Sequence, residues 1–500
     1  MNSETTETEN RNWIRARING TITLATEMCL ADGNFRSGKA MDDGNQPEIM
    51  TVAKDVNGKP MIPAPTLKGA LRDRMVSLFS DDEVTQSLFG RASQADTTGN
   101  GTDDAGLGGS LEVGFAFVQS MSADLLEIKS VAIDRVTGAA ADRLLYGYES
   151  VPVGTVFSVE LMVERPTGEH LSRLLAVLEN IDDSLDSNIR FGGHSTNRRG
   201  SANWELSDVR AVDDKTLENW FNNEDADLWS ASDAVTITPA EFEPEIEQLR
   251  IDIDLQFDRW FMVRDPDHVK QKSGEDDHSG VDAVPLRREG KVLLPSTGFK
   301  GALRSHLEKI ARTIDADAGG DPVRDNTFGL VEVLFGSAGN IQCKGAVVCS
   351  DFVDSKVANE LNMGSDPDPE FTSLIRREFV AIDRFTGGAA ESFKFSALPA
   401  WQPKLCGTVT VNSRRLASNA AIYDSLHEHA MSSLEPALGL LALALRDLCD
   451  GEITFGMGSS KGFGTNQAVM NCTSATDNSS DYVKSLFDHI DGTQPASTKD

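Results

Sequence analysis

The chain has 500 residues, of which 39% are hydrophobic and 25% are charged, and its formal net charge is −31. This length is typical of two or three domains rather than of one hydrophobic core. The most apolar stretch, residues 437–448, is only as long as one ordinary helix and contains Arg446, which excludes a membrane-spanning segment. The N-terminal residues lack the basic start and apolar core of a secretory signal, so we expect a cytoplasmic protein without membrane partners.

Six cysteines are scattered along the chain without a Cys-x-x-Cys pair or a neighbouring histidine pair. This spacing argues against a structural zinc site or a disulfide framework. We expect small buried hydrophobic side chains in a reducing compartment at all six positions. They are Cys29, Cys343, Cys349, Cys406, Cys449 and Cys472.

The negative charge argues against a broad nucleic-acid-binding surface, because proteins that neutralise phosphates usually carry a basic face. Either the acidic residues lie away from a locally basic groove, or the chain binds no nucleic acid. Adaptation of the organism to salt is a further reason for an acidic surface. Local motifs have to separate these alternatives.

The predicted elements follow one order in each half of the chain. A half-buried strand comes first and is followed by a helix that opens after a Pro and a Ser or Thr, and each half approximates the order β, α, β, then β, α, β. This order is the ferredoxin-like pattern and predicts an α+β protein with two tandem units that carry long insertions. The predicted strands and second helices are 17–24, 155–163 and 170–178 in the first half, and 249–257, 407–412 and 434–448 in the second.

Four landmarks recur in the same order in the two halves, which indicates an internal duplication. Their offset grows from 232 residues between Lys68 and Lys300 to 264 between Phe191 and Phe455, as insertions in surface loops would produce. The landmarks are Lys68-Gly-Ala-Leu-Arg72 and Lys300-Gly-Ala-Leu-Arg304, Leu88-Phe-Gly90 and Leu334-Phe-Gly336, Asp134-Arg135 and Asp383-Arg384, and the glycine-rich segments 191–200 and 455–464.

The repeat and the composition together predict four segments. Residues 1–14 are a disordered N-terminus, 15–233 the first unit, 234–472 the second unit, and 473–500 a flexible acidic tail.

This set of landmarks resembles the RAMP superfamily of CRISPR-associated proteins. It is most similar to the backbone subunit of type III effector complexes, which polymerises along the guide RNA and is known in fused, double-unit form. The resemblance implies RNA-recognition-like units, each with a β-hairpin thumb that kinks the guide–target duplex. It also implies guide RNA, target RNA and other subunits of the complex as partners. The subtype, the partner subunits and the bounds of the thumb stay open.

The repeated basic residues are candidates for RNA contact. An ammonium group at a helix start, beside free backbone amides, is suited to hold a phosphate, and an arginine four residues on lies on the same helix face. The arginine of each Asp-Arg pair is equally compatible with a salt bridge to that Asp. The candidates in the helices and Asp-Arg pairs are Lys68, Arg72, Arg135, Lys300, Arg304 and Arg384.

The glycine-rich segments are predicted to contact RNA, because glycines allow close backbone approach and these segments carry cations in an acidic chain. A tight turn is the alternative explanation, and neither segment matches a Walker loop. The cations singled out are Arg198, Arg199 and Lys461, and the glycines are Gly192, Gly193, Gly200, Gly456, Gly458, Gly462 and Gly464.

In the resembled family, an Asp in the loop before the Ile-Pro element supports metal-dependent cutting of target RNA, and Asp282 fits that pattern. Its carboxylate would ligate Mg²⁺ or another divalent cation, or orient the 2′-hydroxyl. Aligning the Gly-Lys pairs of the two halves puts Met50 opposite Asp282. The first-half acids Asp42, Asp43 and Glu48 substitute only if their loop is longer, so the activity of the first unit stays open.

Three functions therefore compete. The first is a guide-bound backbone subunit that acts as an endoribonuclease in the antiviral defence complex. The second is a scaffold with the same fold that cuts nothing. The third is a guide-processing RAMP endoribonuclease, which relies on a general base such as His. His194 lies in a glycine-rich segment without a counterpart in the other half, and this disfavours processing.

Overall fold

A computed structural model describes residues 13–38, 47–91, 106–133, 140–182, 189–222, 227–242, 249–268, 280–317, 326–337, 342–361, 366–426 and 434–472. The chain divides into two units, residues 1–195 with 199–245, and residues 196–198 with 246–500. Each unit has a hydrophobic core of its own. Most of the predicted N-terminal segment 1–14 and the whole predicted tail 473–500 lie outside the described residues.

The helices and strands of the first unit follow in chain order. They are β1 (Arg15–Leu24), β2 (Ala31–Ser37), β3 (Glu48–Val52), β4 (Met61–Ile62), α1 (Ala64–Phe79), α2 (Glu83–Phe89), β5 (Leu111–Val113), β6 (Ala116–Ser120), β7 (Leu126–Ile133), β8 (Ala140–Ser150), β9 (Val156–Glu164), α3 (Gly168–Glu179), β10 (Ala202–Val212), α4 (Asp214–Phe221), α5 (Leu228–Ala231) and β11 (Asp233–Ala234).

The second unit continues the same numbering. Its elements are β12 (Leu249–Phe257), β13 (Trp260–Phe261), β14 (Arg287–Arg288), β15 (Lys291–Leu294), α6 (Ser296–Asp317), α7 (Asn326–Phe335), β16 (Gly336–Ser337), β17 (Cys343–Lys344), β18 (Val347–Cys349), β19 (Phe352–Glu360), β20 (Thr372–Leu374), β21 (Arg377–Ile382), β22 (Ala389–Ala397), β23 (Ala400–Trp401), β24 (Lys404–Val411), α8 (Ser413–Leu426), α9 (Glu435–Cys449) and β25 (Asn466–Cys472).

The central sheet of each unit has the same strand order. It runs β10-β1-β9-β6 in the first unit and β25-β12-β24-β19 in the second, with antiparallel pairing throughout. In order of appearance within the unit, these strands are fourth, first, third and second. Two helices accompany the four strands, α1 and α3 in one unit, α6 and α9 in the other. This is the ferredoxin-like arrangement, so the prediction of an α+β protein with two such units is confirmed.

Local alternation of side chains explains why these segments form strands. Along β1 every second residue is buried, including Ile18, Ile22 and Leu24, and the intervening side chains are half-exposed. Successive side chains of a strand point to opposite faces, so this pattern turns one face toward the helices. Removing each large aliphatic side chain from water contributes roughly 1.5–3 kcal/mol.

Each unit inserts a β-hairpin between its second and third central strands. The hairpins are β7–β8 in the first unit and β21–β22 in the second. The repeated Asp-Arg pair lies between the two strands of each hairpin. In the first unit that segment, including Arg135, falls within residues 134–139, outside the described part of the chain.

The thiols differ from the expectation of burial at three of the five positions whose side chains the structure describes. Cys29 and Cys349 are buried, Cys343 and Cys449 are half-buried, and Cys406 is exposed. At Cys406 the prediction is wrong because residues alternate along β24, where Leu405 faces the core and its neighbours face outward. No helix among the described residues has both the length and the apolar character needed to cross a bilayer.

Candidate functional site

The tip of the second hairpin presents exposed side chains. One carboxylate oxygen of Asp383 accepts hydrogen bonds from the amides of Phe385 and Thr386, both at 2.8 Å. These bonds lower the pKa of Asp383, the bond from Thr386 contributing most. Asp383 therefore closes the turn, and Arg384 and Phe385 lie at its exposed tip.

The two glycine-rich segments close in the same way. The Phe191 amide donates to the Gly200 carbonyl oxygen at 2.9 Å, and the Phe455 amide donates to that of Gly464 at 3.2 Å. Gly200 and Gly464 have φ of +76° and +78°. A Cβ on either would lie 1.9 or 2.0 Å from the carbonyl oxygen of the phenylalanine. Loop closure therefore requires glycine at both positions.

A second pair of glycines lets the segments approach the chain that follows the first strand. A Cβ on Gly192 would lie 2.2 Å from the Cys29 carbonyl oxygen, and one on Gly456 would lie 2.4 Å from that of Met262. These contacts support the tight-turn explanation for both glycines. The other three predicted glycines lie at or near the surface: Gly193, Gly458 and Gly462.

The glycine-rich segment meets the chain that follows the first strand at a junction, and one residue of this junction differs between the units. The closing glycine donates to the carbonyl oxygen of Glu27 in the first unit and of Trp260 in the second, both at 2.8 Å. The residue before that glycine is Arg199 or Phe463. Arg199 forms a 2.5 Å ion pair with Glu27, with both side chains largely buried, whereas Phe463 lies 6.3 Å from the Trp260 ring. The Glu27 pair gives Arg199 a structural role.

The remaining polar residues of the two segments differ in accessibility. Arg198 is half-buried, with φ of +55°, and Lys461 is exposed. The His194 ring stacks on Tyr148 with 4.6 Å between the ring centroids. Burial, and then the nearby Arg199 cation, lower the pKa of His194. A neutral, stacked imidazole is the arrangement of a packing residue.

The side chains of the two helix lysines are directed toward backbone carbonyl groups of their own units rather than toward solvent. Lys68 and Lys300 are each the fifth residue of their helix, one turn beyond the N-terminal amides. Their ammonium groups donate to the carbonyl oxygens of Leu111 at 2.7 Å and Val347 at 2.8 Å. Burial lowers the pKa of Lys68, and lowers that of Lys300 to about 8. These contacts favour a structural role for both lysines.

The helix arginines also have protein partners. Arg304 donates to the buried Glu308 carboxylate at 3.0 Å and to the Gly336 carbonyl oxygen at 3.1 Å. Arg72 is more exposed and lies 3.8 Å from Asp81. Of the two, only Arg72 has the exposure and weak pairing that suit a further contact.

Asp282 is fixed to the base of the second hairpin. Its Oδ2 atom accepts hydrogen bonds from the amide and the hydroxyl of Ser396, at 2.7 and 2.8 Å. The Asp282 amide in turn donates to the Ser396 carbonyl oxygen at 3.0 Å. Ser396 lies on β22 and is only 3% exposed. The hairpin that carries the exposed tip therefore also holds this carboxylate.

The first unit has no carboxylate at this place. The strand pairs are Met50 with Tyr148 and Ala283 with Ala397, both parallel. Three residues after Tyr148, Val151 pairs with Met28, and three residues after Ala397, Ala400 pairs with Phe261, so Tyr148 corresponds to Ala397. Met50 thus corresponds to Ala283, and the buried Ile49 corresponds to Asp282.

The prediction that Met50 stands opposite Asp282 is therefore wrong by one residue. The amide of Ala53 bonds to the Leu30 carbonyl oxygen as that of Leu286 bonds to Val263. The next backbone bond returns to Ala53 from Met61, eight residues on, but to Leu286 from Leu293, seven residues on. The turn of the first unit is thus one residue longer, which a gapless alignment cannot show.

Comparison with protein-family models places both units in one family. The model described as the RAMP superfamily matches residues 21–203 and 272–466, which is more than half of the chain. The chain belongs to the RAMP superfamily. Its two matched regions make it a tandem RAMP protein, and membership in this family indicates a CRISPR-associated RNA-binding subunit. No curated protein matches the chain significantly.

The first RAMP unit does contain a buried acid near Ile49. Glu149 on β8 accepts hydrogen bonds from Arg36 Nε at 2.8 Å and from the Val52 amide at 3.2 Å, and its carboxylate lies 2.9 Å from Lys54 Nζ. Burial by itself raises the pKa of Glu149, but the bonds from Lys54, Arg36 and Val52 outweigh it, and that pKa is lowered overall. Two cations therefore occupy this carboxylate.

Sequence reasoning missed several residues of the RAMP site. Ser396 gave no signal, because only folding brings it to Asp282. Phe385 had one, since it directly follows Arg384 in a repeated turn motif. Of the three first-half acids considered as substitutes for Asp282, Glu48 is exposed at the start of β3. Asp42 and Asp43 lie outside the described residues.

Proposed function

We propose that this RAMP protein is the guide-RNA-binding backbone subunit of a type III CRISPR ribonucleoprotein, and that its second unit cleaves complementary target RNA. Asp282 is the catalytic residue of this proposal. The partners are guide RNA, target RNA and the other subunits of the complex.

The hydrogen bonds that hold Asp282 to Ser396 are the observation that supports this proposal. A loop carboxylate that only capped a turn would bond to backbone amides a few residues away. Asp282 instead bonds to Ser396 on the hairpin, across 114 positions of sequence. The carboxylate thus has a fixed position relative to the element that the family resemblance assigns to kinking the RNA.

A divalent cation at Asp282 would be held by this carboxylate together with phosphates of the bound RNA. The described residues include no group of three or more His, Cys, Asp or Glu side chains placed to hold a metal ion. Mg²⁺ is usually held by one or two carboxylates together with phosphates of the substrate, so a single fixed Asp is compatible with a site completed by RNA. When bound, the cation would stabilise charge on the attacking or leaving oxygen.

The test compares Asp282→Ala and Ser396→Ala with the wild type in the assembled complex, using labelled complementary RNA and Mg²⁺. Asp282→Ala should abolish one cut without weakening guide binding. Ser396→Ala removes one hydrogen bond to the carboxylate and should slow that cut by about 10- to 100-fold, as expected for a bond to a charged group. Asp368→Ala, which removes an exposed turn Asp of the same unit, is the matched control.

Persistence of every cut in the Asp282 variant would leave an RNA-binding scaffold. Purified chain that carries no RNA, as judged by its absorbance ratio, and that binds no added guide would contradict the whole proposal.

A further inference from the structure

A group of aromatic and basic side chains lies at the base of the second hairpin and is separate from the Asp282–Ser396 hydrogen bonds. We call it the Trp260 surface. It consists of Trp260, Trp401, Phe379, Arg377 and Lys461.

Backbone pairing brings the two tryptophans together. Trp260 on β13 is the direct partner of Trp401 on β23, and the ring centroids lie 4.3 Å apart. Both indoles are half-buried, so part of each remains accessible. The ring planes are inclined at 54° to each other, so the pair offers an angled aromatic patch beside the hairpin.

Two cations lie over aromatic rings of this surface, one over Trp260 and one over Phe379. Arg377 Cζ is 4.1 Å from the centre of Trp260, and Lys461 Nζ is 4.5 Å from the centre of Phe379. Arg377 and Phe379 lie two residues apart on β21 and share one face. Glu378, on the opposite face, pairs with Lys394 at 2.7 Å. Within the described part of the chain, neither Arg377 nor Lys461 forms a salt bridge.

Packing alone does not account for this composition. The first unit closes the equivalent junction with the buried pair of Glu27 and Arg199, which carries no net charge. The second unit places two exposed cations at its junction, in a chain with 78 acidic and 47 basic residues. A surface that keeps its cations away from carboxylates is suited to bind an anion.

Aromatic faces beside unpaired cations are the chemistry of single-stranded nucleic-acid binding. Bases stack on the rings whatever their sequence, and the cations neutralise the backbone phosphates. Arginine planes also stack on RNA bases. We propose that the Trp260 surface binds an unpaired RNA segment, at a junction that the first unit fills with the Glu27–Arg199 pair. This rests on the proposed function, because it assumes that the chain meets RNA.

The experiment measures binding of fluorescein-labelled oligouridylate to the full chain freed of RNA, by anisotropy over a range of salt concentrations. Trp401→Ala should weaken binding by about 5- to 150-fold, the range found for loss of one base–aromatic stack. Replacing Arg377 and Lys461 together by Gln should lower the slope of log affinity against log salt by about 1.4, or roughly 0.7 for each phosphate that is no longer neutralised.

Lys394→Gln is the matched control, because it removes one charge from the same hairpin but from a residue paired with Glu378; it should leave affinity and slope unchanged. Trp401→Phe keeps a stacking ring and should retain most of the affinity, which separates stacking from a folding defect. If both Trp401→Ala and the Arg377/Lys461 pair bind oligouridylate like the wild type while guide RNA still binds, the inference fails and the proposed function stands. If the wild type binds neither RNA, the proposed function fails with it.

Discussion

Pairs of residues, rather than single residues, distinguish the two RAMP units at the level of side chains. Where the second unit has Asp282 bonded to Ser396, the first has Ile49 against Gly147. A Cβ on Gly147 would lie 2.1 Å from Ile49 Cδ1, so a side chain at this position would require Ile49 to shift. Replacing Asp282 by an aliphatic residue would in turn leave Ser396 without the carboxylate that accepts its hydrogen bonds.

The glycine-rich loop of the second unit gives a test at this scale. Gly464→Ala should destabilise the second unit by about 2–5 kcal/mol. A positive φ costs roughly 1–2 kcal/mol, and overpacking against the Phe455 carbonyl oxygen costs about 1–3 kcal/mol more. The measurement is the free energy of unfolding of the second unit in urea.

Gly462→Ala is the matched control, because Gly462 has φ of +77° but no atom within 4 Å of the position of a Cβ. It should cost only the roughly 1–2 kcal/mol of the backbone conformation. Equal losses in the two variants would show that the close approach at Gly464 relaxes freely.

At the scale of elements, the hairpin of the second unit joins three features. Its tip exposes Arg384 and Phe385, its base carries Ser396, and one face of β21 carries Arg377 and Phe379. Strand geometry explains this combination, because alternate residues face opposite sides and a two-stranded ribbon spans the distance from base to tip. A movement of the hairpin would therefore move the seat of Asp282.

Phe385 is fully exposed, so its removal should not affect stability. Phe385→Ser should nevertheless weaken binding of the guide–target duplex by on the order of tenfold, as removal of an aromatic ring stacked on a base predicts. The measurement is duplex affinity together with the melting temperature of the protein.

Val56→Ser provides the comparison, since Val56 is equally exposed in a turn of the first unit. Similar affinities for the two variants would assign Phe385 to a surface without RNA.

At the scale of the whole molecule, the two RAMP units share a fold but not a candidate active site. The chain keeps a net charge of −31, and cations such as Arg377 and Lys461 lie on aromatic rings rather than on carboxylates. Locally placed cations are compatible with an acidic chain in an RNA-binding family, since the Debye length is only about 8 Å at physiological salt and distant acidic residues are screened.

The positions at which target RNA is cleaved should reflect the difference between Asp282 in the second unit and Ile49 in the first. In the assembled complex, Asp282→Ala should remove one cut, whereas changing Asp42 and Asp43 together to Ala should do little, because the position that corresponds to Asp282 in the first unit is filled by Ile49. The measurement is the size of labelled target fragments on a gel. Loss of a second, distinct cut in the Asp42/Asp43 variant would show that the first unit is active too.

The amino-acid sequence alone was enough to predict the duplication, the ferredoxin-like order of the central elements, and four central strands to within three residues of their observed ends. These features depend on local periodicity, as in β12, whose predicted bounds are those observed. The directions and partners of the side chains emerged only from the folded chain. Folding turned Lys68 and Lys300 toward backbone carbonyls and brought Ser396 to Asp282. It also placed Ile49 at the position of the first unit that corresponds to Asp282. Periodicity fixes the face of a residue, but its partner on a distant strand depends on the register that packing selects.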